Sequence, residues 1–290
     1  MRVRRILATG VIAAMALAVA SAPAQATDPY DVALGDSVAA GGGLENLPPP
    51  NPCHQSTLAY PALLAANPAF VAAGTPSESV ACTGATTENV LSTSETVNGA
   101  TVPSQLSQIA ALPLGTVTLT IGVNDLDWVS RLTTCLEDGY STCAAMQPAI
   151  TAGIATVNRN VGAILTDIDA MGATRVIVTG YCDPFPTTDV YSTSSCDALY
   201  VLAIDNALGN GTIPLIRTWE KSLNRALAST AGKHGAVFVS LTRAIPPAHR
   251  ICTCAPWLFG LTATTISNQS AMHPTARGQS SIASAVVATG

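Results

Sequence analysis

Tyr30-Asp31-Val32-Ala33-Leu34-Gly35-Asp36-Ser37-Val38-Ala39-Ala40-Gly41 joins a strand pattern to a serine and a run of small residues. The alternation from Tyr30 to Leu34 marks a first strand, which Gly35 ends. A serine at that exit, followed by small residues, holds its hydroxyl at the carboxyl edge of a sheet, where α/β proteins place their chemistry. Outward from this stretch, further strand signals fall at Ser79 to Cys82, Thr116 to Ile121, Thr174 to Thr179 and Ala236 to Leu241. The runs Val117-Thr118-Leu119-Thr120-Ile121 and Val176-Ile177-Val178 are apolar and β-branched, as expected of strands covered on both faces.

Between the strands lie helical stretches, the clearest from about Pro148 to Met171. Its apolar positions Ile150, Ile154, Val157, Val161, Ile164, Ile168 and Met171 recur every three or four residues and make one buried stripe. Pro148 suits a first turn and Gly172 an exit. A second helix is predicted over Pro214 to Ala231, and a last one follows Pro274. Such alternation implies a three-layer α/β/α sandwich with a mostly parallel, flavodoxin-like sheet of five strands. The segments 41–57, 126–147 and 180–213 are expected as irregular loops over the carboxyl edge, where most of the cysteines fall.

The chain opens with Met1-Arg2-Val3-Arg4-Arg5, an apolar run from Ile6 to Ala20 and the small-residue site Ala24-Gln25-Ala26. This is the pattern of a secretory signal peptide, residues 1–26, cleaved after Ala26. A membrane anchor is the competing reading, but the run falls short of the ~20 apolar residues that span a bilayer. Cleavage removes three arginines and no acid, taking the formal charge from -5 to -8. With only Lys221 and Lys233 as lysines, the remaining chain has no basic stripe for a phosphate backbone, which argues against nucleic acid as a partner. Residues 27–290 suit a single domain, since no linker, repeat or low-complexity segment divides them.

Eight cysteines in an exported chain read as a disulfide framework, with about a hundred possible connectivities left open. Metal binding by Cys252-Thr253-Cys254 is the rival use. Zinc pairs are spaced by two to four residues and come with a second pair, whereas here one residue separates the thiols.

Three later groups follow Ser37 in order: Gly84 in Cys82-Thr83-Gly84-Ala85-Thr86-Thr87, Asn124 in Gly122-Val123-Asn124-Asp125, and His273-Pro274. Together they resemble the four blocks of the SGNH, or GDSL, hydrolase family, over nearly the whole chain after the leader. The resemblance implies a serine esterase with Ser37 as nucleophile and His273 as its base. It further implies an oxyanion hole built from the N–H of Ser37, the N–H of Gly84 and the side chain of Asn124. The chemistry needs these groups. A serine hydroxyl attacks only if an imidazole removes its proton, and each preorganised donor to the developing oxyanion typically contributes ~3 to 4 kcal/mol. His54, His234 and His249 lack the family's closing pattern, which His273 shares with Gly278 and Gln279. Gly84 and Asn124 could each be ordinary turn residues after strands, a reading that weakens when both fall in order. No Gly-x-Ser-x-Gly, Walker loop or dinucleotide fingerprint occurs, which argues against α/β-hydrolase lipases and nucleotide enzymes. Glycines 41 to 43 read as a turn after the nucleophile and make an unlikely phosphate cradle.

The same resemblance, to secreted actinobacterial lipases, implies the pairs Cys53–Cys82, Cys135–Cys143 and Cys196–Cys252, leaving Cys182 to pair with Cys254. Asp36 and Asp125 are implied to be structural, the alternative being that one of them orients His273. One departure stands out: most members carry an aspartate three residues before the histidine, and this chain has Ser270 there. Something must still fix the imidazole tautomer, and the main-chain carbonyl of Ser270 is the expected acceptor, giving a Ser-His dyad. Pro256-Trp257-Leu258-Phe259 is expected either to line the acyl pocket or to pack in the core. The implied enzyme is a monomer without cofactor, metal or stable membrane anchor, acting on a small-molecule or lipid ester. Acetylated carbohydrate is the rival substrate, and a binding module that has lost activity the rival class.

Overall fold

Among the described residues, seven strands carry the architecture: β1 (Tyr30–Gly35), β2 (Ser77–Ser79), β3 (Glu95–Val97), β4 (Ala100–Val102), β5 (Leu114–Thr120), β6 (Arg175–Thr179) and β7 (Val237–Val239). The computed structural model describes residues 28–289 apart from 46, 49, 73 and 188–194, so the leader at 1–26 and its cleavage site lie outside the described residues. Five strands form one sheet in the order β2-β1-β5-β6-β7, every neighbouring pair parallel. The register sets Val32 beside Val117 and Leu34 beside Leu119, and those in turn beside Val176 and Val178. All six side chains are apolar, which suits a sheet with helices on both faces. The sheet is the flavodoxin-like one that the alternation implied, in an α/β/α sandwich.

From β1 the chain moves outward to β2 and then returns to β5 on the other side of β1. That reversal opens a crevice beyond the carboxyl ends of β1 and β5, the place where open α/β sheets bind ligands. Ser37 follows β1 and Asn124 follows β5, so the topology alone aims both at this crevice.

The helix Gln147–Ala170 buries Ile150, Val157, Val161, Ile164 and Ile168, while Ile154 and Met171 are half-buried at the stripe's margins. It packs against Thr212–Lys233, whose Trp219 is buried and donates its indole N–H to Gln147 Oε1 at 2.6 Å. The helices Tyr60–Ala65 and Ala276–Val287 pack together in the other layer. Among the described residues no single helix is long and apolar enough to cross a membrane.

Two segments expected as irregular are partly helical. Trp128–Asp138 and Tyr140–Ala145 occupy most of 126–147, and Ala198–Gly209 lies within 180–213. Only Leu132 and Cys135 are buried in the first helix, and Ile204 and Ala207 in the last. Trp128, Leu132, Cys135 and Leu136 in the first helix do recur at helical spacing, a legible signal, whereas Ala198–Gly209 is apolar nearly all round and shows no distinct stripe. The hairpin β3–β4 was also missed, although its Asn98-Gly99 turn, at φ 50 and 78, is a strong hairpin signal. The second strand was expected at Ser79 to Cys82; β2 itself ends at Ser79, but its ladder continues as Val80 N–H to Ala33 O and Cys82 N–H to Gly35 O, both 2.9 Å.

Disulfides join Cys53 to Cys82, Cys135 to Cys143 and Cys196 to Cys252. The remaining pairing is overturned, for Cys182 and Cys254 are free thiols. Cys182 is half-buried in the wall of a cleft just after β6, whereas Cys254 is exposed to solvent. A bridge requires two Cβ atoms that face each other at close range. The Cys196–Cys252 bridge also takes one thiol of Cys252-Thr253-Cys254 away from any metal.

Candidate active site

Ser37 begins the short helix Ser37–Ala40, with Asp36 as its N-cap accepting the Val38 N–H at 2.9 Å. The strand exit is held tightly. Gly35 N–H donates to Gln105 Oε1 at 2.7 Å and Gln105 Nε2 returns a bond to Gly35 O at 2.8 Å, so one glutamine imitates a neighbouring strand. Gly35 has φ 141, and a Cβ there would lie 2.2 Å from Thr120 O, so only glycine lets β1 leave beside β5 this closely.

His273 lies 236 residues later, yet its Nε2 is 2.7 Å from Ser37 Oγ. Its loop is braced on Phe259: the Phe259 N–H donates to His273 O at 2.9 Å and the Met272 N–H to Phe259 O at 2.8 Å. Leu258, paired with Pro274, is fully buried. Pro256-Trp257-Leu258-Phe259 therefore supports the histidine and packs in the core, and does not line the apolar cleft described below.

The Nδ1 bond departs from expectation. It runs to the carbonyl of Ala271 at 3.2 Å, while the Ser270 carbonyl takes the main-chain N–H of His273 at 3.0 Å. The reason lies in the backbone: Met272 has φ 64, and this left-handed residue turns the Ala271 carbonyl toward the ring. Burial lowers the imidazole pKa below its ordinary 6.5, opposed by the carbonyls of Ala271 and Ser270. A carbonyl can only accept, so Nδ1 carries the proton and Nε2 is left to accept from Ser37.

Gly84 has φ 89, a left-handed conformation that suits glycine. Among the described residues, neither its N–H nor that of Ser37 has an acceptor. Asn124 opens a 3₁₀ turn, and its Nδ2 donates to Ala85 O at 2.9 Å, tying this block to the one that holds Gly84. One amide hydrogen is thus spent on positioning and the second is left over.

Neither Asp36 nor Asp125 is hydrogen-bonded to His273 among the described residues. Asp125 accepts the Thr87 N–H at 2.9 Å and the Thr87 hydroxyl, fixing the start of the helix Thr87–Leu91. Asp36 is fully buried and accepts from the Tyr181 hydroxyl as well as from Val38. Burial pushes its carboxyl up to about 7, against the pull of those two bonds. Tyr181, at the exit of β6, also receives the Val123 N–H at 3.3 Å and so links three strand ends beneath the site.

A cleft of about 810 Å³ opens at the dyad, with Val38, Val123, Trp128, Leu223, Leu241 and Met272 in its walls. Gly42 is the site residue that sequence reasoning overlooked. A Cβ there would sit 2.9 Å from His273 Cδ2 and 3.0 Å from Ser37 Cβ. The glycine run 41–43 is visible in sequence, but nothing local says that it faces an imidazole from the far end of the chain.

The chain is similar to several known proteins. Residues 33–280 match the GDSL-like lipase/acylhydrolase family. A lipase from Streptomyces rimosus is 32% identical over 273 residues, covering 91% of this chain and 87% of that protein. Lipase 1 of Streptomyces coelicolor is 30% identical over 296 residues, covering 94% and 92%. Among solved structures, an extracellular lipase from Streptomyces rimosus superimposes with a TM-score of 0.67 at 29% identity, over 90% of this chain and 98% of the other. A phospholipase A1 from Streptomyces albidoflavus gives 0.68 at 26% identity, over 91% and 99%. With its serine and histidine in hydrogen-bond contact at the sheet's switch point, this chain belongs to the GDSL-like lipase/acylhydrolase family and is a carboxylic ester hydrolase.

Proposed function

We propose that residues 27–290 form an exported single-domain lipase that cleaves lipid esters through an acyl-serine intermediate, using a Ser-His dyad in place of a triad. The 2.7 Å contact between Ser37 Oγ and His273 Nε2, at the head of an apolar cleft, carries this reading. Ser37 Oγ attacks the ester carbonyl as its proton passes to Nε2. The carbonyl oxygen becomes an oxyanion, held by the N–H groups of Ser37 and Gly84 and by Asn124. Collapse breaks the bond to the alcohol, which leaves with the proton from His273. Water then attacks the acyl-serine, gives its proton to Nε2, and the acid departs with the Ser37 hydroxyl restored.

The cleft's apolar walls favour an acyl chain, and the names of the relatives, two lipases and a phospholipase A1, support a lipid ester. The word extracellular for one of them, with three disulfides here, supports export. A panel of 4-nitrophenyl esters from acetate to palmitate, set beside acetylated xylan, tests the substrate: preference for acyl chains of about eight carbons or more supports the lipase, and preference for xylan acetate overturns it.

Two predictions arise from the histidine. Because the active form is the neutral imidazole and burial lowers its pKa, kcat/KM rises with pH through a midpoint below 6.5. A measured acid limb centred above 6.5 contradicts this. Ser270→Ala keeps both main-chain carbonyls and removes only a hydroxyl bonded to Asn268 Oδ1 at 2.6 Å, so kcat stays within about threefold of the wild type. A thousandfold loss would assign the orienting role to the hydroxyl.

A further inference from the structure

A second cleft, of about 1060 Å³, meets the first at His273, and its character is different. Its walls are polar: Thr83 beside Gly84, Glu95 and Asn98 on the β3–β4 hairpin, His54, Asn268 and Gln269. Two of these residues hold polar atoms that have no partner among the described residues. Thr83 Oγ1 and Glu95 Oε1 are both buried without a hydrogen bond, a condition that native structures rarely leave unexplained.

The wall that carries them is rigid. Thr83 follows Cys82, which is bridged to Cys53, and the Thr83 N–H donates to Cys53 O at 3.2 Å. Asn98 Nδ2 donates to Pro52 O at 2.7 Å and lies 2.9 Å from His54 Nε2, pinning the hairpin tip to the same loop. His54 and Gln269 hold left-handed backbone at φ 56 and 60 without being glycine. Such backbone persists only where the surroundings enforce it, most often around binding sites.

We infer that this groove is the leaving-group subsite and that it reads free hydroxyls, so that the preferred substrate is a monoester of a polyol. The inference rests on the acyl-serine reading, which puts the acyl chain in the apolar cleft and leaves the alcohol facing Gly84 and this groove. A hydroxyl of the leaving alcohol carries both a donor for Glu95 and an acceptor for Thr83, the two functions that these atoms lack. A simple alkyl alcohol satisfies neither. Burial raises the Glu95 carboxyl's pKa, disfavouring its charged form, which suits a neutral hydroxyl better than a cationic headgroup. Glycerol and sugars share this chemistry.

Three octanoate esters with one acyl group and different alcohols test the inference: 1-octanoylglycerol, glucose monooctanoate and ethyl octanoate. The wild type is expected to show kcat/KM at least about tenfold higher on one or both polyol esters than on the ethyl ester, and the ratio of the two polyols distinguishes glycerol from sugar. In Glu95→Leu the loss on the polyol esters exceeds the loss on ethyl octanoate by about tenfold, while Glu95→Gln recovers most of it. Should Glu95→Leu fail to fold, Thr83→Val, which keeps the side chain's shape, gives the same selective loss. Equal activity of the wild type on all three esters, or equal losses in the variants, overturns the subsite and leaves the acyl-serine reading standing. A wild type inert on all three esters overturns that reading, and the subsite with it.

Discussion

Ser37→Ala lowers kcat on 4-nitrophenyl butyrate by roughly ten-thousandfold or more, and a fluorophosphonate that labels the wild type leaves the variant unmodified. The magnitude follows from losing covalent catalysis altogether, since among the described residues no other hydroxyl is in contact with His273 Nε2. Folding should be nearly unaffected. The hydroxyl makes one hydrogen bond at the cleft head, and its helix start is held by Asp36 and the Gln105 clamp, neither of which uses Oγ. The melting temperature is therefore expected to stay within a few degrees of the wild type. His273→Ala produces a comparable loss, and the double variant loses little more, because the two groups act as one unit. Full activity in Ser37→Ala, or a fluorophosphonate adduct on another serine, would refute the dyad.

Gly42→Val is expected to lower kcat by about a thousandfold while leaving the far-ultraviolet circular dichroism spectrum unchanged. The effect is steric. At 2.9 Å from His273 Cδ2 and 3.0 Å from Ser37 Cβ, even a methyl group is too close, and the branched side chain of valine is worse. The imidazole swings away, and the 2.7 Å bond that activates Ser37 is broken. Misplacing a base by about 1 Å is enough for a loss of roughly a hundredfold, and the valine displaces it further. Gly42→Ala should lie between valine and wild type. A valine variant with wild-type kcat would mean that the ring has a second productive position.

The order of strands and helices was legible because its signal is local. Ile150, Val157, Val161, Ile164 and Ile168 repeat at the helical period whatever they pack against. The runs in β5 and β6 advertise burial on both faces. Ser37, Gly84, Asn124 and His273 were legible as a set because strand exits at one sheet edge leave residues of fixed type in fixed order. The helix Ala198–Gly209 was not, because it is apolar nearly all round and sets no stripe, whereas Trp128–Asp138 carries a readable one in Trp128, Leu132, Cys135 and Leu136.

Two details of the site depended on contacts across the fold. The acceptor for His273 Nδ1 is Ala271 because the left-handed turn at Met272 redirects the chain. Cys182 and Cys254 remain apart because one thiol faces the cleft and the other faces solvent.

By itself, the sequence determined the α/β/α class, the sheet-edge position of the nucleophile and the order of the reactive blocks, all encoded in periodicity and residue type at short range. Long-range packing sets which carbonyl orients the imidazole, why Gly42 must be glycine, and that an apolar and a polar cleft meet at His273. Those depend on distances between segments up to 236 residues apart. Such distances are set by the packing of the whole core, and no window of sequence contains them.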